Sequence, residues 1–132
     1  EALELAGSLM TSGRIDYLDM SLWDCFKTPE DPAFAGKALI DWFADLPRGN
    51  TPLGVAGKLM SAADVRRALD AGVDFVLLGR AAILHHDFPQ RMQADADFVS
   101  TARPVSRDHL RAEGLSEKFV DYMASWKGFV AE

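Results

Sequence analysis

The chain has 132 residues, 48% of them hydrophobic, and a net charge of −6 with acidic and basic side chains interspersed. That length suits one ordinary domain, falls well short of the ~250 residues of a closed (β/α)8 barrel, and carries too much apolar content for global disorder. The balance lacks the basic stripe that nucleic acid needs, no apolar run approaches the ~18 residues of a membrane span, and the single Cys25 excludes an internal disulfide framework. Lone cysteine usage fits a reducing, cytoplasmic setting. With Glu1 in place of an initiator methionine and no signal peptide, the expectation is a fragment or processed product.

In chain order, residues 2–10 read as the end of a helix with Leu3, Leu5, Ala6, Leu9 and Met10 apolar, stopped near Gly13. Residues 15–20 (IDYLDM) predict a first strand, although Asp16 and Asp19 interrupt its alternation. Residues 21–32 are a long loop with two prolines, and residues 33–44 predict a helix bearing Ala38, Leu39, Trp42 and Phe43. A turn over 47–52 leads to a short second strand, 53–56. Ser61-Ala-Ala-Asp64 approximates a capping box, with Asp for Glu, and Gly72 ends that helix. Residues 75–78 are continuously apolar, as a strand buried on both faces should be, and 88–98 predict one more helix. Beyond Thr101, Ser106 and Ser116 are positioned to cap two short tail helices, the second with Phe119, Val120, Met123 and Trp126 at helical spacing. Alternating strands and helices argue for parallel pairing.

Two strands end on glycine one unit apart. Gly54-Val-Ala-Gly-Lys58 precedes Phe75-Val-Leu-Leu-Gly-Arg-Ala81 by roughly one helix. Glycine lets backbone approach an anion, N–H groups point at it, and an arginine adds a forked charge. This layout suits a phosphate at the last two strands of a (β/α)8 barrel.

The order and spacing of Asp16-Tyr-Leu-Asp-Met-Ser21, Val55-Ala-Gly-Lys58, Ala71-Gly-Val-Asp-Phe-Val-Leu-Leu-Gly-Arg-Ala81 and the tail through Tyr122-Met-Ala-Ser-Trp-Lys-Gly-Phe-Val130 resemble the C-terminal third of the old yellow enzyme family. Those are FMN-dependent NAD(P)H:flavin oxidoreductases, or ene-reductases, built as (β/α)8 barrels. The resemblance implies an α/β fold: a partial (β/α)8 TIM barrel (its last three strand–helix units) over residues 1–100, with a helical tail over 101–132 packing on it. It also implies that Ala56, Gly57 and Lys58 lie at the FMN phosphate, mostly through backbone N–H groups. Gly79 and Arg80 complete that cradle, and Ser21 and Trp23 sit at the barrel mouth. The family often has Gly-Gly where this chain has Ala56-Gly57, which narrows the backbone conformations available. Its ring contacts, substrate-binding pair and tyrosine proton donor belong to earlier strands, so no catalytic residue is assigned here. The expected partners are the FMN phosphate and, for a parent enzyme using NADH or NADPH, a small-molecule electron acceptor.

Other readings compete. The chain also fits a piece of a phosphosugar isomerase or aldolase-type barrel, or a non-catalytic half-barrel that self-associates into a homo-oligomer. Three strands cannot close a barrel, so the inward side chains of Leu53, Val55, Phe75 and Leu77, or their alternates, are expected to meet water unless covered. His85-His86-Asp87 reads as a polar loop and not a metal site, because no cysteine or further histidine has ligand spacing. Asp16, Asp19 and Asp24 read as a polar strand rim. Trp23 and Cys25 read equally well as ligand contacts or as packing against the next helix. The Phe119–Trp126 stripe reads as packing surface.

Overall fold

Apolar stretches bounded by glycines and prolines give three short strands, each preceded by a helix or a helical turn. The structure, a computed structural model, describes residues 1–131. Helix α1 (Ala2–Thr11) leads to strand β1 (Leu18–Ser21), a 3-10 turn (Pro32–Phe34), α2 (Leu39–Ala44), β2 (Leu53–Ala56), α3 (Ala62–Asp70) and β3 (Phe75–Val76). Four helices follow: α4 (Arg80–Leu84), α5 (Phe88–Ala94), α6 (Arg107–Ala112) and α7 (Glu117–Ala124). The strands form one parallel sheet in the order β1-β2-β3, with Leu18 opposite Leu53 and Val55 opposite Val76. The chain is thus a mixed α/β protein with a small parallel sheet. No described helix is long and apolar enough to cross a membrane.

Packing divides the chain into two compact units, residues 1–59 with 64–78, and residues 60–63 with 79 onward. In the first, Met10, Met20, Ile40, Leu53, Val55 and Cys25 are fully or almost fully buried. Leu53 and Val55, expected to face water, are instead wholly enclosed, because α1, α2 and α3 supply apolar cover. Phe75 and Leu77 are only half-buried. Polar groups close the seams of this unit. The Thr51 hydroxyl donates to Met10 O at 2.7 Å, the Asp74 carboxylate accepts from Leu53 N–H at 2.8 Å, and Arg48 donates to Gly72 O at 2.7 Å. A Cβ at Gly54 would fall 2.2 Å from the Phe75 ring, so a larger residue there must push that ring aside.

The helix expected over 33–44 is shorter than its apolar spacing suggests. Asp31 caps the 3-10 turn by accepting from Ala33 N–H, Gly36 takes φ +105°, and Ala38 is extended, so α2 starts only at Leu39. Residues 75–78 pair for two residues, with Leu77 N–H reaching Val55 O at 2.9 Å, and a five-residue helix, α4, begins at Arg80.

In the second unit Leu84, Val105, Leu110, Val120, Met123 and Phe129 form the core. Ser106 Oγ accepts from His109 N–H at 3.1 Å and Ser116 Oγ from Phe119 N–H at 3.4 Å, as their positions predict. The stripe on α7 splits: Val120 and Met123 are buried, whereas Phe119 and Trp126 stay about two-fifths exposed beside Tyr122. One face of that helix packs and the aromatic face does not.

Candidate functional site

The turn that follows β2 holds the first three predicted residues together. Ala56 ends the strand, and its carbonyl accepts from Leu22 N–H at 2.8 Å. Gly57 is buried, and its carbonyl accepts from Cys25 N–H at 3.3 Å. A Cβ at Gly57 would lie 2.7 Å from Leu22 O and 2.8 Å from Cys25 N, so only glycine fits between the two segments. Lys58 then adopts φ +58°, the one left-handed non-glycine among the described residues. Such conformations cost on the order of 1–3 kcal/mol and concentrate at functional sites. Among the described residues the N–H groups of Gly57 and Lys58 donate to no protein acceptor, which leaves two backbone donors at the carboxyl end of a parallel strand. The Lys58 ammonium is held 3.1 Å from the Asp24 carboxylate, so what this residue offers an anion is chiefly its amide. Asp24, which the sequence places in a polar rim, thereby positions the turn; its other oxygen accepts from Phe26 N–H at 3.2 Å.

Gly79 and Arg80 open the second unit as the cap and first residue of α4. Gly79 has φ −93°, so it does not need glycine's positive φ, and an added Cβ would meet open space. Its carbonyl accepts from Ala82 and Ile83 N–H. Arg80 is half-buried. Trp23 and Cys25, treated alike from sequence, separate: Trp23 is 80% exposed, and Cys25 is fully buried. Burial, and next the Asp24 carboxylate, push the Cys25 thiol up to about 11, which keeps it protonated and unreactive.

The geometry also gathers residues that sequence reasoning did not connect. All three histidines lie in the second unit, around Glu113 at the end of α6. His86 donates to Glu113 Oε2 twice, from its backbone N–H at 2.9 Å and from Nδ1 at 2.7 Å. Burial opposes ionisation of Glu113, but these two bonds outweigh it and hold the carboxyl below its ordinary value. His109 donates from Nε2 to Leu84 O at 2.8 Å. The signal that was available is the spacing of His109 and Glu113, four residues apart and hence on one helix face.

Two triads bring ligand-type atoms within 4.8 Å of one another: His85, His109 and Glu113, and His86, Asp87 and Glu113. Hydrogen bonding argues against metal in both. His85 Nε2 accepts from Thr101 N–H at 2.9 Å, so the neutral ring carries its proton on Nδ1 and has no second lone pair for a metal. In the other triad the Arg91 guanidinium already supplies the cation, 2.7 Å from Asp87 and 3.9 Å from Glu113.

No protein-family model matches this chain, and no curated protein matches it.

Proposed function

We propose that the chain is the C-terminal part of an FMN-dependent NAD(P)H:flavin oxidoreductase of ene-reductase type, a portion of a (β/α)8 barrel that contributes the phosphate end of the flavin site. The observation that carries this reading is the Gly57-Lys58 turn. It ends a parallel strand with two unclaimed N–H groups, a glycine that no other residue can replace, and a lysine in a strained conformation. Parallel α/β sheets place ligands beyond the carboxyl ends of their strands, where this turn lies. The residues suit a phosphate: backbone amides bind its oxygens without the ordering cost of a long side chain, and Asp24 keeps the Lys58 ammonium from competing for position.

FMN, when bound, supplies hydride chemistry between NADH or NADPH and a small-molecule acceptor. The chain's own share is positional. The amides of Gly57 and Lys58 hold the phosphate, and the fixed turn transmits that position to the rest of the cofactor.

The test is a fluorescence titration of the purified chain with FMN, with riboflavin as the control that lacks phosphate. FMN is expected to bind and riboflavin not. Equal binding of both flavins, or binding of neither, would remove the phosphate assignment.

A further inference from the structure

Three consecutive residues at the end of α4 tie down two segments, α6 with its cap and the stretch at Thr101. The Leu84 carbonyl accepts from His109, His85 accepts from Thr101, and His86 donates to Glu113. His85 is the member with no polar redundancy. It is 3% exposed, its ring packs edge-on to Phe98 at 5.3 Å and His109 at 5.7 Å, and its buried Nδ1 has no hydrogen-bond partner among the described residues. One lone pair therefore holds one amide. The segment so held is also paired elsewhere: Phe98 O accepts from Ala62 N–H at 2.9 Å, Ser100 N–H donates to Met60 O at 2.8 Å, and Val99 bridges Ser61.

We propose that His85 is an acid-sensitive latch on residues 98–101. Protonation at Nε2 converts the acceptor of the Thr101 amide into a second donor. An attractive N–H···N contact at 2.9 Å becomes two N–H groups facing each other, beside a charge in an apolar pocket. The Thr101 amide must then leave, and the strand-like contacts of 98–100 to 60–62 lose their anchor.

The charged neighbours set the direction. Arg91 on α5 and His109 on α6 disfavour a proton on His85, whereas Glu113 at the end of α6 and Asp87 at the start of α5 favour it. Burial is the largest influence, and the net result holds His85 below its ordinary value of 6.5. His86, bonded to Glu113, is the remaining titratable group in the cluster. The unfolded chain takes up a proton near 6.5 that folded His85 resists, so stability falls as pH drops below that value. The closed latch belongs to neutral pH and the open one to acid.

The test follows amide hydrogen exchange at Thr101 and Leu110 between pH 7.5 and 5, corrected for intrinsic rates, with the ring tautomer read by nitrogen NMR. At pH 7.5 the His85 proton is expected on Nδ1. Between the ordinary histidine value of 6.5 and the lowered value of the folded ring, Thr101 protection should fall by up to about tenfold per pH unit while Leu110 stays protected. His85→Gln, whose amide oxygen accepts but does not titrate, should leave Thr101 protection independent of pH. Glu113→Gln should move the transition to lower pH, because the charge that favours protonation is gone. A proton on Nε2 at neutral pH, flat Thr101 protection in the native chain, or loss at Leu110 in step with Thr101 would each overturn the latch.

Discussion

The two units of this chain solve the same problem by different means. The first encloses Leu53, Val55, Ile40 and Met20 around a parallel sheet, and its tightest constraint lies in the backbone, at Gly57 and Lys58. The second encloses Leu84, Leu110, Met123 and Phe129 among short helices, and its constraints lie in side chains: two serine caps and a histidine–glutamate hub. Backbone constraints respond to glycine and to Cβ atoms, whereas side-chain constraints respond to protons. The first unit is therefore the place to look for a rigid ligand seat, and the second for a response to pH.

The largest effects should come from the cores, and they test whether both units are packed as described. Phe129→Ala is expected to cost about 3–5 kcal/mol and Leu53→Ala about 2–5 kcal/mol. Urea denaturation followed by amide signals from each unit measures both; a loss below about 1 kcal/mol at either position would show that its core is looser than the burial implies.

Next comes a pair of glycines that sharpens the contrast. Gly57→Ala drives a Cβ into the backbone atoms Leu22 O and Cys25 N and should cost roughly 1–3 kcal/mol or more. Gly79→Ala enters open space at a negative φ and should cost under about 1 kcal/mol, the difference between the two residues as helix caps. Thermal melts that gave equal losses would break the distinction between a glycine needed by the backbone and one that is merely present.

The smallest effects belong to the serine caps. Ser106→Ala should cost about 1 kcal/mol and Ser116→Ala somewhat less, since its bond is longer, 3.4 against 3.1 Å. Equal stability of Ser106→Ala and the native chain in the same melts would show that α6 is held by packing alone.

What the sequence revealed follows the same division. Strand β2, the glycine stop at Gly72 and both serine caps could be read from residues, because each rests on a local rule: an apolar run between breakers, a left-handed glycine, a hydroxyl before a helix. The start of α2 could not, because Gly36 and the Asp31-capped turn override a good apolar spacing. Helix α4 was hidden for another reason: it follows at once on the apolar run of 75–78, and five residues are too few to show a helical period. At the candidate site, the residue types at Gly57 and Lys58 were legible. The strain at Lys58, and its pairing with Asp24 across 34 positions, came only from the fold. The cluster around Glu113 combines segments from 85 to 113, a separation at which adjacency in sequence says little.

The chain's single thiol has a use of its own. Cys25 is sealed from solvent, stays neutral until strongly alkaline pH, and its N–H is bonded to the Gly57 carbonyl. An alkylating reagent can reach it only when the packing around it opens, at the Gly57 side or at Ile40, whose N–H donates to the Cys25 carbonyl at 3.0 Å. The labelling rate is thus a clock for the breathing around Cys25, the turn after β2 included, readable by mass spectrometry without any engineered probe. A ligand seated on that turn would slow the clock in proportion to how firmly it holds the turn shut.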